Sequence, residues 1–154
     1  MNVLYDVCAD TSAVRGDLKG AAVGLVLGLL LVAVVWKRRD RAPRFLALVF
    51  LAAWVGISSW NAVSDRRAHR AACGALTAGR VLVAEGDVRD FSALPPDGRG
   101  WETFRVGEAS FRIAPGRGAG LNRVSVNGGP IRSGRRLRVS YAGEEILKVE
   151  EPTR

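Results

Sequence analysis

Seven arginines lie in one stretch of the sequence, from Ala109 to Gly143, that contains no Asp or Glu. Arginine makes bidentate hydrogen bonds to phosphate and carboxylate groups, so this stretch predicts a surface that binds an anion or a partner. A merely solubilising surface is the competing interpretation. The seven residues are Arg112, Arg117, Arg123, Arg132, Arg135, Arg136 and Arg138.

The same stretch contains a glycine pattern, Gly116-x-Gly118-x-Gly120, that is similar to a phosphate loop. A surface loop is favoured instead, because no helical pattern follows and the Gly-Lys-Ser/Thr ending of a P-loop is absent. The aromatic residues of the stretch are Phe111 and Tyr141, and alternation turns both inward. Since surfaces for nucleic acid combine basic residues with exposed aromatic ones, nucleic acid is not expected as a partner.

Catalytic and metal-binding chemistry is not expected either. The chain of 154 residues has two Cys and one His, whereas a structural zinc site takes about four such ligands. Its carboxylates are not arranged with a His, a Cys or a recognisable nucleophile. The sequence therefore predicts no catalytic residue, no metal and no cofactor.

The two cysteines, Cys8 and Cys73, leave two possibilities open. Outside the cytoplasm they would be able to form a disulfide that ties the N-terminal segment to a helix after the second hydrophobic segment. Two free thiols are the alternative, which we favour slightly.

Two hydrophobic segments, at about residues 18–36 and 45–63, are each long enough to cross a bilayer as a helix. The loop between them, residues 37–44, is short and holds five Lys or Arg residues. Because two helices joined so briefly are antiparallel neighbours, the sequence predicts a transmembrane helical hairpin. No ionisable residue lies deep in either segment, which argues against a proton or ion pathway.

Small residues recur every four positions in both hydrophobic segments. On a helix this spacing forms a smooth face that lets another helix approach closely. The first segment would therefore pack against the second one or against another copy of the chain. The predicted packing residues are Gly16, Gly20, Gly24 and Gly28 in the first segment and Ala52 and Gly56 in the second.

The distribution of basic residues predicts the orientation. Near the membrane the count is equal, with five basic residues in the loop and five on the other side. The first helix usually dominates, and it carries five basic residues after its C-terminal end against two before its N-terminal end. We therefore predict that the loop is cytoplasmic, and that both ends of the chain lie across a bacterial inner membrane.

The other segments complete an α+β membrane protein. Residues 1–17 are predicted as a polar N-terminal tail, and residues 64–79 as a juxtamembrane helix that ends at Gly79. From residue 80 to 151 the sequence alternates in five or six short segments separated by turns. Such a pattern over about seventy residues predicts a small closed β-barrel, either OB-like or SH3-like.

The chain resembles a family of uncharacterised bacterial inner-membrane proteins with two spans, a basic loop and a small β domain. The most specific segment of the resemblance is Gly128-Gly129-Pro130-Ile131-Arg132-x-Gly134. The family has an aromatic-Ser-Asp group after the position of Phe111 and a His near position 99, where this chain has Arg112-Ile113-Ala114 and Arg99. The resemblance implies the architecture and brings no established activity. The other matching residues are Glu85-Gly86-x-Val88-x-x-Phe91, Leu94-Pro95-Pro96, Glu102-x-Phe104-x-Val106 with Phe111, Gly120-Leu121-Asn122 and Val139-x-Tyr141-x-Gly143-x-x-Ile146-Leu147.

These observations predict a membrane-anchored, non-enzymatic binding or assembly module that contacts an envelope component or a larger membrane complex. Its partners would be the lipid bilayer and a protein, or a second copy of the chain, bound through the transmembrane helices. The alternative is a sensor of anionic lipid headgroups or polyanions that uses the Arg-rich surface.

Overall fold

A computed structural model describes residues 1–10, 22–30, 32–33, 41–95, 97–116 and 118–152. The chain forms two compact units. One consists of Met1–Asp10 together with Ala68–Arg154, and the other is Thr11–Arg67. The α+β class predicted from the sequence is confirmed, since one long apolar helix is combined with a six-stranded sheet.

The long helix, α1, runs without interruption from Arg41 to Thr77. It joins the apolar segment that begins at Phe45 to the more polar sequence after Val63. The helix ends in a Schellman motif, in which the Gly79 N–H donates to the Leu76 carbonyl (3.2 Å) and the Arg80 N–H to the Ala75 carbonyl (3.0 Å). Gly79 adopts a φ of +67°, which glycine tolerates without the steric penalty of a side chain.

Within the described residues, the stretch Phe45–Thr77 is the one helix that is long and apolar enough to cross a membrane. Its large apolar side chains are exposed, with Phe45 67% and Trp60 72% accessible. The predicted helical hairpin is therefore not found there as two complete spans. Residues 22–30 and 32–33 of the predicted first span are helical, and its other residues lie outside the described part.

Two of the predicted packing glycines contact α1. A Cβ atom added to Gly28 would lie 2.5 Å from Leu51 Cδ1, and one added to Gly24 would overlap the indole ring of Trp54. The contacts run antiparallel, because the earlier glycine meets the later residue of α1. On α1 the contact face is thus formed by Leu51 and Trp54.

The other predicted packing residues make no such contact in the described structure. Ala52 and Gly56 are exposed, and a Cβ added to Gly56 would meet nothing within 4 Å. Gly16 and Gly20 lie outside the described residues.

The sheet is antiparallel throughout, with the strand order β1-β6-β5-β2-β3-β4. Its longest strand, β2, changes partner along its length. Residues 82–87 pair with β5, and residues 88–92 pair with β3. The strands are β1 (Asn2–Asp6), β2 (Leu82–Ser92), β3 (Glu102–Val106), β4 (Ala109–Ile113), β5 (Arg136–Ala142) and β6 (Glu145–Glu151), and a short 3-10 helix covers Ser125–Asn127.

The prediction of a closed OB-like or SH3-like barrel was wrong, because the sheet is open and β1 and β4 are its two edges. Residues 121–126, which the alternation predicts as a strand, instead form irregular chain that enters the 3-10 helix. The chain after β4 touches β6 at an isolated backbone bond, Leu121 N–H to the Ile146 carbonyl (2.8 Å), rather than through a ladder of bonds. Closure would need that ladder.

The N-terminal segment, predicted as a polar tail, supplies the sixth strand. Strand β1 pairs with the C-terminal strand β6, with Asn2 opposite Glu151 and Asp6 opposite Lys148. The Val7 N–H continues the pairing by donating to the Leu147 carbonyl (2.9 Å). The two ends of the chain are therefore neighbours in one sheet.

The cysteines form a disulfide between Cys8 and Cys73, with their Cα atoms 5.1 Å apart. The favoured interpretation of two free thiols was wrong. The bond joins the chain just after β1 to the last turns of α1. Its neighbour Val7 is fully buried, so the N-terminal segment is an integral part of the folded unit.

One face of the sheet forms the core. Alternation along β3 buries Glu102, Phe104 and Val106 and exposes the residues between them. The Phe104 and Phe111 rings stack at 5.4 Å, and Phe111 meets Tyr141 edge to face at 5.1 Å. Because the inward positions are filled in this way, the outward positions of β3 and β4 are left for polar residues.

Candidate functional site

The clearest candidate site is a cavity of about 400 Å³ on the outer side of β3 and β4, which we call the β3–β4 cavity. Phe104, Phe111 and Gly143 form part of its wall. Its polar lining consists of Asp90, Thr103, Arg105, Ser110, Arg112 and Glu144.

Strand register places four of these side chains together. Thr103 lies opposite Arg112, and Arg105 lies opposite Ser110. Side chains opposite each other on one face of an antiparallel pair have Cβ atoms roughly 5 Å apart. Two guanidinium groups and two hydroxyl groups, all of them hydrogen-bond donors, therefore share one small surface.

Each of the two arginines is paired with an acid from another strand or turn. Arg112 Nη2 donates to both carboxylate oxygens of Glu144, at 2.8 and 2.7 Å. The Arg112 guanidinium also lies 5.1 Å from the centre of the Trp101 ring, a cation–π distance. Arg105 makes a longer contact of 3.5 Å with Asp90.

Asp90 lies at an irregularity of β2, where the register with β3 shifts between Arg89 and Ser92. Its φ of +49° is left-handed, a conformation that Asp adopts more readily than most residues. A bulge of this kind redirects side chains at the edge of a site. At this bulge the Asp90 carboxylate lies close to Arg105.

Of the seven arginines predicted as a binding surface, the six that the structure describes line different grooves or make separate contacts. Arg112 lines the β3–β4 cavity, and Arg117 lies outside the described residues. Arg135 binds both oxygens of Glu151 at 2.7 Å, and Arg136 contacts Glu85 at 3.4 Å.

The remaining three of these arginines have different surroundings. Arg132 Nη1 donates to the Gly129 and Ile131 carbonyls at 2.8 and 2.7 Å. Arg138 stands in register with Glu85 of β2 and Glu150 of β6, and its buried Nε has no hydrogen-bond partner within the described structure. Arg123 lines a second, smaller groove. The acids of these pairs, Glu85, Glu144 and Glu151, all lie outside the acid-free stretch.

Sequence reasoning missed Arg105, because it precedes the stretch in which the arginines were counted. The hairpin pattern in the sequence could have identified Arg105 as a site residue. Once Gly107 and Glu108 are taken as its turn, alternation places Arg105 beside Ser110 and Thr103 beside Arg112.

The Arg135–Glu151 pair gives a pH prediction. The hydrogen bond from Arg135 lowers the pKa of the Glu151 carboxyl below its ordinary value of 4.5. A lowered pKa in the folded state stabilises the fold above the ordinary pKa, and this contribution is lost as the pH falls through the folded-state pKa. We expect Glu151→Gln to remove that part of the acid destabilisation, measured as urea midpoints between pH 7 and pH 3. Glu144→Gln, in a far more exposed pair, is the matched control. An unchanged pH profile in Glu151→Gln would contradict the expectation.

The second groove, of about 280 Å³, lies between the N-terminal segment and the chain from Leu121 to Pro130. Burial, helped by the nearby charges of Asp10, Glu145 and Asp6, raises the pKa of the Tyr5 hydroxyl. Tyr5 is therefore a neutral phenol at physiological pH. Arg123 lies on the opposite wall, and with Asp6 and Asp10 also present the groove has no excess of positive charge.

In the glycine loop, Gly118 and Gly120 lie against a carboxylate of the same chain. The Gly120 N–H donates to Glu145 Oε2 at 2.8 Å, and a Cβ added to Gly118 would lie 2.6 Å from either oxygen of Glu145. Gly118 adopts a φ of +82°, a conformation that glycine tolerates better than other residues. Because this carboxylate occupies the loop, the arrangement is a structural anchor of β6.

One carboxylate is fully buried. Glu102 Oε2 accepts hydrogen bonds from the Ser125 N–H (2.8 Å) and from the Ser125 hydroxyl, whereas Oε1 is buried without a partner in the described structure. Ser125 begins the 3-10 helix, so Glu102 satisfies a free N–H at its start. We assign it a structural role between β3 and the irregular chain before β5.

No group of three or more His, Cys, Asp or Glu residues that could hold a metal ion occurs in the described parts of the chain. Comparison with protein-family models, with characterised proteins and with solved structures finds no match to this chain. The family resemblance based on the Gly-Gly-Pro-Ile-Arg segment therefore stays a prediction.

Proposed function

We propose that this chain is a membrane-anchored, non-enzymatic binding or assembly module of a bacterial inner membrane, with its sheet outside the cytoplasm. It would contact an envelope component or a larger membrane complex. The observation that carries the proposal is the disulfide between Cys8 and Cys73, considered together with the apolar helix α1.

The disulfide supports the proposed location of the sheet outside the cytoplasm. Such bonds persist in oxidising compartments and are rare in the reducing cytoplasm. The sheet unit that contains the bond would therefore be on the outer side. The same orientation is predicted from the basic residues of the loop, which is an independent argument.

The disulfide and the pairing of β1 with β6 also support a second span. They hold residues 1–10 and 68–152 in one folded unit, so both must lie on the same side of the membrane. If α1 crosses once, the chain between Asp10 and α1 must cross once more. The helical residues 22–30, whose glycines contact Leu51 and Trp54, are suited to that crossing.

Binding is proposed rather than catalysis because of how the exposed acids of the β3–β4 cavity are used. Glu144 and Asp90 are each engaged by an arginine, at 2.7 and 3.5 Å. Both acids are thus used in ion pairs with the arginines of the cavity. The cavity offers donors and a shaped surface, which are properties of a binding site.

The compartment and the number of spans can be tested with a membrane-impermeant maleimide. In spheroplasts we expect Cys8→Ser, which leaves Cys73 as the remaining thiol, to be labelled without lysis. In a Cys8→Ser/Cys73→Ser background, Asp40→Cys in the basic loop should be labelled only after lysis. The background itself is the control for nonspecific labelling.

Labelling of Cys73 only after lysis would contradict the outer location. Labelling of both positions without lysis would contradict the second span. For the assembly role, the chain should co-purify with a partner or self-associate after gentle extraction. A strictly monomeric protein that retains no partner would leave only a role in binding soluble or lipid ligands.

The alternative function is binding of anionic lipid headgroups or polyanions, and one observation favours it. Arg105 and Arg112 lie on a single exposed face, each opposite a hydroxyl-bearing residue. On polyphosphate beads, Arg112→Gln should weaken retention of the solubilised protein at low salt more than Arg136→Gln does. Equal loss in both variants would mean that only net charge matters.

A further inference from the structure

The acids of the β3–β4 cavity are more exposed than the arginines that they contact. The accessible fraction of the side chain is 75% for Glu144 against 53% for Arg112, and 68% for Asp90 against 47% for Arg105. Water therefore reaches a larger fraction of each acid than of the arginine that it contacts. This is the arrangement expected if the acids occupy positions that another anion can take.

Exchange of Glu144 for another anion would be easy. Ion pairs between exposed groups contribute roughly 0–1 kcal/mol, because water competes with both partners. Arg112 would also keep its place after losing Glu144, since its guanidinium rests on the Trp101 ring at 5.1 Å. Both bonds to Glu144 come from Nη2 alone, and arginine has further N–H donors.

We propose that the β3–β4 cavity binds one oxyanion group, a phosphate monoester or a carboxylate, and that Glu144 leaves Arg112 as the ligand enters. Arg105 and Arg112 supply the charge, and the hydroxyl groups of Thr103 and Ser110 supply two more donors. The volume of about 400 Å³ leaves room for part of the molecule that carries the group. This inference rests on the proposed binding function and gives the chemical class of its ligand.

The other arginine pairs are less suited to exchange or to recognition. Arg135 and Glu151 are only 34% and 32% accessible and are joined by two bonds, so displacement would open a partly buried pair. Arg136 and Glu85 are exposed and line another groove. Among the described residues, the polar side chains that line this groove are all acidic or basic, and none of them carries a hydroxyl group. The donor set of the β3–β4 cavity is therefore the better fit.

The test is a titration of the full-length, detergent-solubilised, 15N-labelled chain at constant ionic strength. The probes are methyl phosphate and acetate, with acetamide as the neutral counterpart of acetate. We expect saturable shifts of the amide signals of Thr103, Arg105, Ser110 and Arg112 with at least one anionic probe, and none with acetamide. Saturation by methyl phosphate alone, by acetate alone or by both distinguishes a phosphate ester from a carboxylate ligand.

Two variants with matched controls test the exchange step. Arg112→Gln should weaken binding about tenfold or more, because charge-assisted hydrogen bonds are lost. Glu144→Gln should strengthen binding about two- to fivefold, because the competing carboxylate is gone. Arg136→Gln and Glu85→Gln make the same charge changes in a pair outside the cavity and should leave binding unchanged.

The proposal is overturned if no anionic probe saturates, if Arg136→Gln weakens binding as much as Arg112→Gln, or if Glu144→Gln has no effect. If Arg112→Gln does not fold, the titrations of Arg105→Gln and Glu144→Gln test the proposal in its place. The titration uses purified protein and does not depend on the compartment. Its failure is thus distinct from failure of the labelling experiment.

Discussion

Cys73→Ser is expected to lower the free energy of unfolding of the sheet unit by up to about 4 kcal/mol. The disulfide closes a loop between residues 65 positions apart, and the chain-entropy model gives a value of this size for such a loop. The loss should be concentrated at β1, because the bond lies immediately after that strand. Hydrogen exchange of the β1 amides, measured together with a urea titration, checks both parts of the expectation.

The control for this prediction is the Cys8→Ser/Cys73→Ser variant. Because both single variants and the double variant remove the same bond, all three should be destabilised almost equally. The same result is expected for the wild-type chain after reduction. Unchanged protection of the β1 amides in Cys73→Ser would show that pairing with β6 alone holds the strand.

Glu102→Ala is expected to lower the free energy of unfolding by about 2–4 kcal/mol. The substitution leaves the Ser125 N–H without its acceptor and opens a cavity among fully buried residues. Glu102→Gln should be milder, since a side-chain oxygen remains to accept the Ser125 N–H. Urea midpoints at neutral pH provide the measurement.

Ser125→Ala is the matched control, and about 1 kcal/mol is expected from loss of the hydroxyl bond alone. The coupling is tested by combining Glu102→Gln with Ser125→Ala, whose effects should not add because the two residues touch. Additive effects would contradict the contact. A wild-type midpoint in Glu102→Ala would exclude the structural role assigned to this carboxylate.

Local patterns predicted the features that depend on neighbouring residues. The apolar run from Phe45 and the left-handed glycine at position 79 were sufficient to define most of α1 and its end. In the same way, the alternation from residue 80 onward predicted short strands separated by turns in the part of the chain that contains the β3–β4 hairpin. In each case the interactions that define the element lie within a few residues of one another.

Features that depend on distant residues were not predicted. Nothing within Asn2–Asp6 indicates that its partner is β6, at the other end of the chain. The arginines gave the same difficulty, because the acids that pair with Arg112, Arg135 and Arg136 lie on other strands or in a turn. The barrel prediction was wrong at residues 121–126, because this alternating sequence forms irregular chain instead of a strand. The sixth strand is provided by the N-terminal segment.

The pairing of β1 with β6 has a consequence for biosynthesis. A ribosome that adds about 5–20 residues per second needs roughly seven to thirty seconds to make β6 after β1. Throughout that interval β1 is an unpaired strand that is open to pairing with other chains. Cys73 is synthesised well before β6, so oxidation to the disulfide is able to tether β1 before its partner exists. Slow thiol oxidation would then appear as misassembly of newly made chains, even where the finished protein is stable.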